Sequence, residues 1–286
     1  MQFDLITANK QPRRPLRDER DAKIIEIFDK ACKYFKIPNA LNEYMNHRIP
    51  VEIPNICLDT MNMLDIYSKD GRKLPTFYEW GRAHYEPFCG FFVRELITGL
   101  SGFSLVTMTL TYSLSQFIKQ YTKKEHPSVL EIGCGTGCLA KGLIDRGINV
   151  IATDSYSWIG GIFSYTNLWL PRNKIEELEM KDAVKKYGES VDFIICSWPI
   201  SDCSIAEIPE LMYNMNPNCK LIYCGEWDYG CTANHEFFEN IESCRGFSMG
   251  IDAVNRYYQT WDFVQDYWYL LEYAFQHRVS AKERNA

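Results

Sequence analysis

The stretch Val129-Leu130-Glu131-Ile132-Gly133-Cys134-Gly135-Thr136-Gly137 decides how this chain is read. An apolar run carrying one glutamate ends in three glycines spaced by two, the pattern of a buried strand that breaks into a backbone-rich loop. Glycine suits these positions because the chain must turn sharply into a helix while its main chain approaches a ligand. A Cβ there would block positive φ or the ligand itself. The next apolar run, Asn149-Val150-Ile151-Ala152-Thr153, closes on Asp154, 17 residues beyond Gly137.

A dinucleotide pyrophosphate is one candidate for such a loop, but its fingerprint wants glycine at the first, third and sixth positions. Counted from Gly133, the sixth position is Cys138. Glu131 is also a poor neighbour for a pyrophosphate, whereas its carboxylate suits an ammonium group. The pattern fits S-adenosyl-L-methionine instead. Glu131 would accept from the methionine ammonium, directly or through water. Gly133, Gly135 and Gly137 would present bare backbone, and the helix opening near Thr136 or Gly137 would face the methionine carboxylate. Asp154 would take the ribose hydroxyls.

A chain of 286 residues can bury one large core with an appendage. The formal net charge of −6 provides no overall basic field for a phosphate backbone, so general nucleic-acid binding is not expected. The early basic residues Lys10, Arg13, Arg14, Arg17, Arg20 and Lys23 read as a solvated tail or helix face. The 11 cysteines are scattered without a C-x-x-C pair, and the first ten residues lack a secretory apolar segment, so an intracellular, cytoplasmic location is expected. The five histidines are too widely spread to predict a metal site. Leu96 to Ile118 carries no charge and is long enough for a bilayer, yet eight of its 23 residues are Ser or Thr. With Leu105, Met108 and Tyr112 at helical spacing, it reads as a buried amphipathic helix rather than a membrane span.

Residues 1–90 read as a helical N-terminal extension, with a helix around Asp21 to Tyr34, that either caps the site or serves packing. Residues 91–286 read as the cofactor-binding domain. From Ser128 onward apolar runs alternate with helical patterns, which predicts an α/β fold: a Rossmann-like, seven-stranded, mostly parallel sheet with helices on both faces. The predicted strands are 128–132, 149–153, 176–180, 191–196 and 220–224, with helices at 137–146, 157–166 and 205–214. Phe247 to Ala253 and Asp266 to Phe275 would add an edge hairpin.

Ligands of such sheets lie outside the carboxyl ends of the strands, so the residues ending each strand are site candidates. After the third strand, Asp182 would accept from an adenine amino group beside the Ala183 amide, or would simply cap a helix. After the fourth, Ser197 offers a hydroxyl, Trp198 an apolar wall and Pro199 a stiff turn with a fixed carbonyl; this position faces the transferable methyl. After the fifth, Glu226 would orient or deprotonate an acceptor, or is a surface carboxylate. Tyr156 would cover the adenine or belong to the core.

Through Glu131-Ile132-Gly133-Cys134-Gly135-Thr136-Gly137, Asp154 and Lys181-Asp182-Ala183, residues 125–275 resemble the class I S-adenosylmethionine-dependent methyltransferases. The resemblance implies a strand order 3-2-1-4-5-7-6 with the seventh strand antiparallel. It also implies a methyltransferase with an acceptor of unknown class. Ser197-Trp198-Pro199-Ile200 is similar to the Asn/Asp/Ser-Pro-Pro-aromatic motif of enzymes that methylate nitrogen, and departs from it at Trp198 and Ile200; a nitrogen acceptor is the leaning. Ser197-Trp198-Pro199, Gly225-Glu226 and Cys231-Thr232-Ala233 also resemble a less characterised methyltransferase-like group. The alternative is a cofactor-binding or inactive scaffold that acts through a protein partner.

Overall fold

The structure, a computed structural model, describes residues 37–53, 66–67, 72–74, 92–157, 168–201, 205–228, 230–244, 246, 250–261 and 264–274. The chain divides into two compact units, Met1–Leu100 and Ser101–Ala286. In the first unit the helix Ile37–Met45 buries Ala40, Leu41 and Tyr44, one turn apart on one face. Ile66–Tyr67 pairs antiparallel with Lys73–Leu74. The expected helix around Asp21 to Tyr34 lies outside the described residues.

The second unit is built on a seven-stranded sheet. Its strands are β1 (Ser128–Ile132), β2 (Asn149–Asp154), β3 (Ile175–Glu177), β4 (Phe193–Ser197), β5 (Lys220–Glu226), β6 (Ile241–Ser243) and β7 (Asp266–Tyr273). They lie in the order β3-β2-β1-β4-β5-β7-β6. The first five are parallel neighbours, and β7 runs antiparallel to both β5 and β6. The order implied by the resemblance is therefore the observed one. Strand order reverses at β1, which pairs with β2 on one side and β4 on the other, and the crevice of such a sheet opens at that reversal.

Helices cover both faces, which is why the central parallel strands β1, β4 and β5 are mostly apolar. On one face α3 (Met180–Tyr187) and α4 (Ile208–Met215) bury Val184, Ile208 and Met212 against Leu130, Ile194 and Leu221. Near the other face run α1 (Met108–Thr122), α2 (Cys138–Ile144) and the short α6 (Asp252–Asn255). α5 (His235–Glu239) adds Phe237 to the first core.

Several boundaries depart from the sequence reading, each for a physical reason. α1 begins at Met108, and Met108 and Tyr112 are exposed; the buried stripe is Leu110, Leu114 and Ile118 with Thr111, Ser113 and Ser115. Those hydroxyls are buried at little cost because each donates to a carbonyl of its own helix, as Thr111 Oγ1 does to Thr107 O at 2.9 Å and Ser113 Oγ to Leu110 O at 2.9 Å. β3 is only three residues long, and Met180 already opens α3, where the sequence reading had extended the strand. The outer strand of the edge is Ile241–Ser243; the predicted strand over 247–253 is overturned at its end by the helix Asp252–Asn255, and its residues 247–249 lie outside the described residues. Residues 158–166, the rest of a predicted helix, lie outside the described residues. No described helix is long and apolar enough to cross a membrane.

Candidate cofactor and acceptor site

A cavity of about 260 Å³ opens at the carboxyl ends of β1, β2 and β4, and its walls include Glu131, Gly133, Gly135, Asp154, Phe103 and Trp198. Its decisive member is Glu131. Strand alternation turns this side chain away from the face that carries Leu130 and Ile132, and it is 2 % exposed. Its Oε2 has no hydrogen-bond partner. Burial pushes the Glu131 carboxyl up to about 8; the charge of Asp154 adds to the rise and a hydrogen bond with the Ala140 backbone opposes it. An orphaned buried carboxylate oxygen is costly, and a cationic group at this wall would relieve it.

The glycine loop leaves room beside it. Gly133 has φ +65°, and a Cβ there would meet no protein atom within 4 Å, so the space it would enter belongs to the cavity. Gly135 has φ +56° and donates its amide to Asp154 Oδ2 at 2.7 Å, while Tyr156 N donates to Oδ1 at 2.7 Å. These two amides fix the plane of the carboxylate at the cavity wall. Gly137 does not line the cavity. It caps α2 with φ +76°, and a Cβ there would lie 3.2 Å from Ile175 Cδ1 and 3.4 Å from Leu170, so its bareness serves close helix packing.

The corner after β3 differs from the sequence reading. Asp182 lies within α3, exposed, near Lys185 Nζ at 3.7 Å, and the Ala183 amide donates to Glu179 O at 2.9 Å inside the helix. Neither lines the cavity. Glu179 and Met180, two to three residues earlier, do. A shorter β3 brings the chain to the crevice sooner, and the acid-plus-apolar pair Glu179-Met180 was the available signal. Tyr156 takes the core option: it is 5 % exposed, packs with Leu170 and Ile175, and carries the Arg172 guanidinium 3.2 Å above its ring centroid.

At the other end of the cavity stand Ser197, Trp198 and Pro199. The Trp198 ring lies almost parallel to that of Phe103, with centroids 5.7 Å apart and 18° between the planes. Its Nε1 donates to Asp266 Oδ2 at 2.8 Å. The Pro199 carbonyl accepts from Ala233 N at 3.2 Å, so the loop after β4 is tied to the loop after β5. Glu226 stays outside the cavity. Its Oε2 accepts from Cys231 N at 2.7 Å and its Oε1 from Gln265 N at 3.3 Å, which makes it an organiser of the loop after β5 rather than a group facing an acceptor. Cys134 and Cys196 reach the cavity wall, and burial pushes both thiols up, so both are neutral. Among the described residues no cluster of three or more His, Cys, Asp or Glu has the geometry to hold a metal. Phe103 and Asp266 were not read as site residues, since aromatic and acidic residues so far apart in sequence give no local pattern.

No protein-family profile matches the chain, and neither does any curated protein sequence. Solved structures give partial likenesses. Plantazolicin methyltransferase BpumL in complex with SAH is 15% identical, with 41% of this chain and 45% of that chain covered and a TM-score of 0.29. Magnesium protoporphyrin IX methyltransferase from Synechocystis PCC 6803 with bound SAM is 12% identical, with 67% and 88% covered and a TM-score of 0.35. Mitomycin 7-O-methyltransferase MmcR is 14% identical, with 68% and 60% covered and a TM-score of 0.34. The match spans less than half of the length of BpumL. At these values the weight falls on the chain's own strand order and site.

Proposed function

We propose that this chain is an S-adenosyl-L-methionine-dependent methyltransferase. The observation that carries the reading is the orphaned Glu131 oxygen in a cavity at the strand-order reversal, beside a positive-φ glycine and the Asp154 carboxylate. Those residues fit the group. Glu131 would hold the ammonium, Asp154 the ribose hydroxyls, Gly133 and Gly135 would admit the adenosyl moiety to the backbone, and Glu179 with Met180 would border the adenine. When bound, this cofactor supplies a methyl group on an electrophilic sulfonium.

What the chain itself must then do is align and exclude water. Trp198, stacked on Phe103, forms an apolar wall that keeps water from the methyl end. Ser197 and the turn at Pro199 orient the acceptor. We read that acceptor as a neutral nitrogen, which needs holding rather than deprotonation. A nitrogen nucleophile agrees with Glu226 being engaged by two backbone amides instead of facing the cavity.

Calorimetry with S-adenosylhomocysteine tests the pocket, and incubation with radiolabelled cofactor and cell extract tests the chemistry. The reading expects binding by the wild type and a labelled product that disappears in Trp198→Ala. Absence of binding sinks the assignment. Binding without a product across many extracts favours the scaffold.

A further inference from the structure

Asp266 opens β7 and is 0 % exposed, a position where a carboxylate is costly unless its oxygens are occupied. Three side-chain donors meet there, one from the loop after β4 and two from the segment just before β7. Trp198 Nε1 donates to Oδ2 at 2.8 Å, the Tyr258 hydroxyl donates to the same oxygen, and the Thr260 hydroxyl donates to Oδ1. The Asp266 backbone is itself set by its pairing with Glu226 of β5. The carboxylate is thus anchored to the sheet, and it does not line the cavity.

Trp198 needs such an anchor. Its φ of +55° is a strained backbone for a bulky residue and persists only where the surroundings over-determine it. The Trp198 amide is tied to Cys224 O at 2.7 Å, which fixes the backbone. Stacking on Phe103 limits the tilt of the ring but not its rotation in its own plane or its flip. Indole has a single donor, so one N–H bond to a fixed acceptor removes that remaining freedom.

We propose that Asp266 is a positioning residue of this site: with Tyr258 and Thr260 it locks the Trp198 indole in one orientation against Phe103, and so shapes the cavity wall where the methyl acceptor lies. What the wall does rests on the methyltransferase reading; whether the ring is locked does not.

The test is proton–nitrogen NMR of the indole N–H groups in the full chain, with the Trp198 resonance assigned by its loss in Trp198→Phe. In the wild type that resonance is single and exchanges slowly with solvent. Asp266→Asn keeps an acceptor of the same size without the charge, so the resonance stays single and moves upfield. In Asp266→Ala it broadens or splits, and exchange speeds by about tenfold or more, the loss expected for a hydrogen bond to a charged group. A Trp198 resonance unmoved in Asp266→Asn overturns the proposal, as does one that stays single and protected in Asp266→Ala. Should Asp266→Ala not fold, the Asn variant decides alone. Failure of the wild type to bind S-adenosylhomocysteine would count against the methyltransferase reading only, because the lock is measured without ligand.

Discussion

Replacing Glu131 by glutamine should move stability and affinity in opposite directions. The carboxyl rises from 4.5 to about 8 in the folded protein, chiefly through burial. A raised folded value means that its contribution to stability is complete below the unfolded value and is lost as pH climbs through about 8. At pH 7 some 2.5 pH units of this loss have accrued, on the order of 3 kcal/mol at 1.36 kcal/mol each. Glu131→Gln has no charge to bury, so the ligand-free variant gains up to that amount at pH 7 and melts with a flatter pH dependence. Its affinity for S-adenosylhomocysteine falls by about 10- to 100-fold, the range for losing one charged hydrogen bond. The wild type carries a further signature. Ligand binding must ionise Glu131, so affinity tightens as pH rises from 6 to 7 and binding releases a proton, readable by calorimetry in buffers of different ionisation enthalpy. The glutamine variant shows neither effect. Thermal melts and titrations at pH 6 and 7 suffice; a wild type with pH-independent affinity, or a glutamine variant that is less stable than wild type at pH 7, would refute the reasoning.

Asp154→Ala leaves the Gly135 and Tyr156 amides without their acceptor, so S-adenosylhomocysteine affinity drops by more than about tenfold and the melting temperature falls as well; isothermal titration checks the first and calorimetry the second. Gly133→Ala and Gly137→Ala separate binding from packing. Each forces an alanine to positive φ at about 1 kcal/mol, but only the first places its methyl in the cavity and weakens the ligand, while the second meets Ile175 and lowers stability alone. Phe103→Ala removes the face on which Trp198 rests, so methyl transfer from labelled cofactor falls while S-adenosylhomocysteine binding is retained; equal losses in both would contradict the division of the cavity into two ends.

The parts of the fold that sequence made legible are those governed by local rules. β1, its glycine turn and β2 are fixed by an apolar run, a steric need for glycine and a terminal acid, all within 26 residues from Val129 to Asp154. β6 is different. Three residues, Ile241-Glu242-Ser243, are too short to alternate visibly, and they are strand because β7 offers them an edge. The turn of α1 was misread because Leu105, Met108 and Tyr112 imitate a helical stripe, whereas the buried stripe holds hydroxyl residues whose polarity is absorbed by their own helix. In the site, Glu131 and Asp154 announce themselves as charges near or at the ends of apolar strands. Asp266 does not, since its partners stand six, eight and 68 residues away and only folding collects them.

The pairing of β1 with β2 has a consequence for how this molecule can fail. Glu131 sits opposite Ala152 and Ile132 opposite Thr153, and the Thr153 hydroxyl donates to Glu131 O at 3.1 Å. The two strands therefore act as a ruler that spaces one acid from the other. A slip of a single residue would turn Glu131 to the opposite face of the sheet and carry Asp154 out of step with the glycine turn. Damage to the zipper between these strands, even at its far end near Ser128 and Asn149, would thus reach the ligand's seat as well as the melting curve.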